Sequence, residues 1–284
     1  MVSSKRWYLL RDILTFRLPL ALFVIALLLP FYWMLVTSLK TDADLYKLAN
    51  FPLFFNNMPT LSHYTFLFQN TMFGRWAANT ILVATVSTAV SLFASILAGY
   101  ALARLRFLGV GLLGTIIFVT YLVPQTLLFL PMTEVIHTLG LQDSYWALIL
   151  TYPTFLIPFG TWLLASYFKS IPVEMEECAQ IDGASRLRAM FSIVLPLALP
   201  GILSAGIFSF TLSWNEFIYA LIFLSSTEMK TIPAGVVIEL IRGDVYFWGS
   251  LMAGALLGSV PVAVVYSFFV DHYVAGLTAG AVKG

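Results

Sequence analysis

Charge is what this 284-residue sequence has least of: Asp, Glu, Lys and Arg make up 10% of it, where a soluble domain carries about 25%. Too few charged side chains remain to cover a surface in water. The net charge is +1, so no global basic field exists to attract nucleic acid. A single cysteine, Cys178, excludes an internal disulfide and a thiolate zinc or iron–sulfur site. His63, His137 and His272 lie far apart in the chain and suggest no metal site. No G-x-x-x-x-G-K-[ST] phosphate loop occurs, and no paired carboxylates or Ser/His arrangement falls inside the apolar segments. The chain is therefore expected to bind no cofactor and to be no enzyme. What it does have is 60% apolar residues, including 24 Phe. That composition excludes disorder, collagen, a coiled coil and a disulfide-rich secreted module, and leaves an integral membrane protein in a lipid bilayer.

Uncharged runs at 18–39, 76–103, 107–133, 144–168, 189–215 and 245–270 are each long enough to cross about 30 Å of hydrocarbon as a helix. A further run at 48–74 holds Asn50, Asn56, Asn57, His63, Gln69 and Asn70 and is interrupted by Pro52 and Pro59, so it reads as a loop outside the bilayer. The expected fold is all-α: one membrane domain over 1–284 with six transmembrane spans, about 18–38, 77–103, 108–132, 145–168, 198–223 and 247–270. Lys5, Arg6, Arg11, Arg17, Arg104, Arg106, Lys169, Arg186, Arg188 and Lys283 fall on one side; Lys40, Lys47, Arg75, Lys230 and Arg242 fall on the other. Ten against five places both termini in the cytoplasm. The apolar start lacks an A-x-A cleavage site and reads as an uncleaved first span. Prolines at 124, 131, 153, 158, 200 and 261 either kink packing helices or bend helices around a cavity.

The most charged segment is 169–188, with Lys169, Glu174, Glu176, Glu177, Asp182, Arg186 and Arg188 in twenty residues. It must lie outside the bilayer. A surface helix is predicted at about 170–183, with Ser170 as cap, Pro172 in the first turn, three glutamates at the positive end of the dipole and Gly183 closing it. Met175, Cys178 and Ala179 form a small apolar face. A helix this short needs something to dock on, either its own protein or a partner.

The motif Glu177-Cys178-Ala179, Gly183, Ile193, Leu195-Pro196 resembles the E-A-A, G, I, L-P cytoplasmic motif of inner-membrane permeases of binding-protein-dependent ABC importers, with Cys178 in place of the first alanine. I-D-G-A at 181–184, W-N-E-F at 214–217, A-N-T at 78–80 and the terminal G-L-T-A-G-A-V-K-G are similar to the shorter permease of carbohydrate importers of the maltose and glycerol-phosphate type. The resemblance implies the six-helix type I importer fold in a bacterial inner membrane. It also implies a second, longer permease, two copies of a cytoplasmic ATPase subunit that bind ATP and Mg, and an extracytoplasmic sugar-binding protein.

In that family the Glu-to-Gly helix couples the spans to the ATPase, which assigns the role here to Glu177, Cys178, Ala179, Asp182 and Gly183. For the substrate, Trp214, Asn215 and Glu216 combine a stacking ring with hydrogen-bonding groups, followed by Asn79, Tyr121 and Gln125. Glu216 and Asn215 have a second reading, as an interhelical tie and as a partner for a backbone freed by a bend. The loop 224–246 resembles one that reaches into the binding protein, and the tail with Lys283 one that contacts the ATPase pair. The rival class, a self-sufficient secondary carrier or channel for a small polar solute, predicts more buried ionisable groups than the Glu216, Asp271 and His272 present.

Overall fold

The computed structural model describes residues 11–47 and 49–278, with side chains up to residue 270. Lys5, Arg6, Lys283 and the side chains of Asp271 and His272 lie outside the described residues. The chain forms two compact units, one of residues 1–73 with 236–259 and one of residues 74–235 with 260–284.

The first unit opens on a helix over Ile13–Leu39, of which only Val36, Thr37 and Ser38 are buried along Leu18–Leu39. So apolar and uncovered a rod persists only where water is replaced by lipid or protein. Thr41 caps a single turn at Asp42–Leu45 by accepting the Asp44 N–H at 3.3 Å. The helix Ser62–Asn70 is held by His63, whose ring nitrogens meet the Lys40 carbonyl at 2.8 Å and the Ser250 hydroxyl at 3.3 Å. A Cβ on Gly249 would overlap that ring, so only glycine fits there. Strands Ile241–Arg242 and Val245–Tyr246 pair antiparallel across Gly243 and Asp244, with Gly243 at φ +61° where a tight hairpin turn requires it.

In the second unit the helix Phe73–Arg104 is continuous, whereas the stretch expected as one span at 108–132 is two helices, Val110–Leu122 and Gln125–Thr138, bent by 98°. The cause is Pro124: it has no N–H to donate and pushes Val123 to an extended ψ of 122°. The stretch expected at 198–223 is likewise broken, into Leu199–Asn215 and Ile218–Phe223, with Glu216 extended at ψ 128° between them. Arg186–Leu197 leads into Leu199–Asn215 through a 76° bend beside Pro200. Counting each bent pair once, the described residues hold six segments apolar enough to cross a membrane; four are helices that do so alone. One core packs Val83, Ile136, Tyr152, Phe155, Tyr219 and Phe223, and another packs Tyr100, Leu164, Phe168, Met190 and Val194.

Candidate functional site

The surface helix runs over Glu174–Ile181, shorter than the predicted 170–183. Ser170 does not cap it. That residue ends the preceding helix, Pro153–Ser170, and its hydroxyl donates back to the Tyr167 carbonyl at 2.7 Å, because the helix persists until Pro172 forces Ile171 to extend. Pro172 consequently lies ahead of the helix rather than in its first turn. The C-terminus behaves as the sequence predicts: Gly183 sits at φ +89°, its N–H donates to Gln180 at 3.1 Å, and the Ala184 N–H donates to Ala179 at 2.9 Å. Those two bonds satisfy carbonyls the helix would otherwise leave open.

The helix is anchored to its own chain by Glu176, which the sequence reading did not single out. Its carboxylate accepts the Tyr100 hydroxyl and pairs with Arg104 Nε at 3.2 Å, both charged side chains being 5% exposed. Arg104 Nη2 also donates to the Ile171 carbonyl at 2.7 Å. The signal was present in Tyr100 and Arg104, which are spaced i, i+4 and so share one face of a helix. With Glu176 turned inward, Glu177, Cys178, Asp182 and Gly183 are exposed and Ala179 is half-buried. The predicted docking face of Met175, Cys178 and Ala179 is therefore not turned onto this chain as a set. Met175 is exposed, and Ile181, at 84% exposure, extends the uncovered surface.

The six predicted substrate residues divide. Asn79 is committed: its amide donates to the Glu228 and Lys230 carbonyls at 2.8 and 2.9 Å and its oxygen accepts the Tyr145 hydroxyl at 2.7 Å. Trp214 is 2% exposed and packs on Phe210, so its ring faces cannot stack on a sugar. Glu216 accepts the Tyr152 hydroxyl at 2.9 Å and the Tyr219 and Ala220 N–H groups at 2.8 and 3.1 Å. It caps the restarted helix, which is the tie reading rather than the sugar-contact one. Asn215, Tyr121 and Gln125 remain exposed, the Asn215 amide donating to the Thr211 carbonyl at 2.9 Å. Tyr219 joins the two helix breaks, since its N–H meets Glu216 and its hydroxyl donates to the Gln125 carbonyl at 3.3 Å. Beside them run the half-exposed rings of Phe159, 5.6 Å from Tyr121, and Phe208, stacked on Phe159 at 4.1 Å. Sequence reasoning passed over both, because phenylalanine in an apolar helix carries no distinguishing signal.

If Glu216 is a tie, Glu216→Ala leaves the buried Tyr152 hydroxyl without an acceptor and costs about 1–3 kcal/mol. Thermal unfolding of that variant should shift downward while the apparent KM for sugar holds. A KM raised tenfold with an unshifted midpoint would instead place the carboxylate on the substrate.

The start of the 224–246 loop is fastened. Trp76 Nε1 donates to the Thr227 carbonyl at 2.7 Å, and Thr80 accepts the Ile232 N–H at 2.8 Å. Asp143 accepts the Ser225 and Ser226 N–H groups at 3.0 Å each, and the Ser226 hydroxyl as well. Burial pushes the Asp143 carboxyl up, but the donors of Ser226 and Ser225 outweigh it and hold the carboxyl below its ordinary value. Its contribution to stability is present above the unfolded carboxylate pKa of about 4 and is lost as pH falls through the lower folded value. Asp143→Asn should accordingly flatten the acid side of a melting-temperature profile below about pH 4. Curves that stay parallel would remove this role.

Comparison with known proteins agrees with these elements. Residues 91–278 match the family described as binding-protein-dependent transport system inner membrane component. The sulfoquinovosyl glycerol transport system permease protein SmoH of Agrobacterium fabrum is 39% identical over 259 residues, covering 90% of this chain and 89% of its own. The inner membrane ABC transporter permease protein YcjP of Escherichia coli is 38% identical, covering 93% of this chain and 94% of its own. In three dimensions the chain is similar to one from a bacterial ABC transporter that imports the acidic polysaccharide alginate, with TM-score 0.76 at 22% identity over 95% of this chain and 98% of that one. The chain therefore belongs to the inner-membrane permeases of binding-protein-dependent ABC importers, in the carbohydrate-uptake branch, as a multi-pass translocating subunit.

Proposed function

We propose that the chain is the shorter of two permeases in an importer for a sugar or sugar derivative, crossing the bacterial inner membrane six times with both termini in the cytoplasm. A longer permease would complete the path, and two cytoplasmic ATPase subunits would supply ATP and Mg chemistry. An extracytoplasmic sugar-binding protein would deliver the substrate, met by the 224–246 loop. The Lys and Arg distribution and the six apolar segments support this topology. Relatives that carry sulfoquinovosyl glycerol and alginate support the substrate class.

The observation that carries the reading is the 174–181 helix, held from behind by Glu176 and presenting Met175, Glu177, Cys178 and Ile181 outward. Seated in a cleft of the ATPase subunit, it would receive the motion of ATP binding and pass it through Arg104 and Tyr100 to the long helix Phe73–Arg104. The permease itself needs two arrangements a few kcal/mol apart, which its partners bias. Sugar would pass where the two broken helices meet, stacking on Tyr121, Phe159 and Phe208 and hydrogen-bonding to Gln125 and Asn215.

Cys178 is the chain's one cysteine and is exposed, which makes it a reporter of docking. Maleimide should modify it readily in the permease alone and at least about tenfold more slowly after the ATPase subunit is added, as burial in a protein interface blocks access. Equal rates would overturn the docking role.

A further inference from the structure

A cavity of about 290 Å³ lies within the first unit at the C-terminal end of the Ile13–Leu39 helix, walled by Trp33 and Trp248 and floored by Thr37, Lys40, Asp44 and Asn50. None of these residues belongs to the elements that couple ATP or line the proposed path. Both indoles are just under half exposed, while Lys40 and Asp44 are almost wholly buried. Asp44 is saturated by Asn50 at 2.6 Å and by the Asn56 amide and N–H at 3.0 and 3.2 Å. Among the described residues the Lys40 ammonium makes one hydrogen bond, to the Phe51 carbonyl at 3.0 Å, although it has three donors. The Thr37 hydroxyl, on a residue 7% exposed, meets no partner among the described residues, and neither does the side-chain oxygen of Asn50.

Ammonium donors, a hydroxyl and an amide oxygen left open along the cavity suit a ligand that both donates and accepts. Lys40 and Asp44 offset one another, which favours an uncharged ligand. Two aromatic walls suit the apolar face of a ring. The volume lies at the low end of small-molecule sites, about 300 Å³, so it admits one ring rather than a chain. We propose that this cavity binds a single hexopyranose ring, presented by a soluble sugar or by a glycolipid headgroup. The site goes beyond the transport role and does not depend on it.

The assembled importer, in phospholipid nanodiscs, is irradiated with diazirine-bearing methyl glycosides of glucose, galactose and mannose. Parallel arms use the corresponding octyl glycosides and an octyl diazirine without sugar, and labelled peptides are mapped by mass spectrometry. Peptides covering 33–52 and 248–252 should be labelled by a sugar-bearing probe above the sugarless one, with the signal competed by unlabelled glycoside. Labelling should fall about fivefold in Thr37→Val, which loses one hydrogen-bonding group, and in Trp248→Ala, which loses one wall. Labelling by methyl glycosides identifies a soluble sugar; labelling confined to octyl glycosides identifies a glycolipid. Labelling equal to that by the sugarless probe, absent from these peptides, or unchanged in Thr37→Val overturns the proposal. If Trp248→Ala does not assemble, Thr37→Val decides alone.

Discussion

Replacing Glu176 with alanine should lower permease stability by about 3–5 kcal/mol, because Arg104 is then left as an uncompensated charge in a site 5% exposed. The Tyr100 hydroxyl loses its acceptor in the same step. Thermal unfolding of the purified permease measures this directly, and recruitment of the ATPase subunit should fail because the 174–181 helix has lost its anchor. Glu176→Gln should fall between the two, since an amide oxygen still accepts from Tyr100 but no longer offsets Arg104. Adding Arg104→Met to Glu176→Ala should recover part of the loss, because the buried charge itself is gone. A melting midpoint for Glu176→Ala that matches the parent would show that the pair carries no load.

Glu177→Lys should do the opposite: abolish ATP-driven uptake while leaving the fold intact. Glu177 is exposed, its backbone N–H donates to the Val173 carbonyl at 3.1 Å, and its side chain has no hydrogen bond or ion pair among the described residues, so its replacement should move stability by no more than about 0.5 kcal/mol. Reversing a charge that pairs with the ATPase subunit costs about 2–5 kcal/mol of binding, or at least about thirtyfold in affinity. Uptake into vesicles, subunit co-purification and sugar binding by the solute-binding protein separate the possibilities, the last staying unchanged. Normal uptake would sink the coupling role of this residue. Gly183→Ala should act more weakly. A Cβ there meets nothing within 4 Å, so the cost is the left-handed backbone alone, about 1–2 kcal/mol.

The two experiments distinguish neighbouring glutamates that look alike in the sequence. Glu174, Glu176 and Glu177 all suit the positive end of a helix dipole, and nothing local tells which one turns inward. That depends on where Tyr100 and Arg104 arrive, some seventy residues earlier in the chain. The same limitation governs Asn79, Trp214 and Glu216. Each has chemistry that suits a sugar, and each is spent on the protein: Asn79 on the 228–230 backbone, Trp214 on packing, Glu216 on a helix restart. Hydrogen-bonding capacity can be read from residue type, but whether it is already used cannot.

By itself the sequence determined the solvent of this protein and the site of the charged helix at 174–181. A chain with 10% charged residues has no other way to satisfy its apolar side chains than to put them in lipid, and seven charges within 169–188 cannot follow them there. It also determined the exit of that helix, because Gly183 readily adopts the left-handed conformation that closes it. The tertiary structure alone decided where the apolar segments break and what each polar group faces. Pro124 announces that a helix breaks there, but the size of the bend, 98°, is set only in the folded chain. The interruption at Glu216 has no proline to announce it; there the Glu216 carboxylate accepts the Tyr219 and Ala220 N–H groups that the break frees, and the Tyr152 hydroxyl, distant in the chain, donates to that carboxylate.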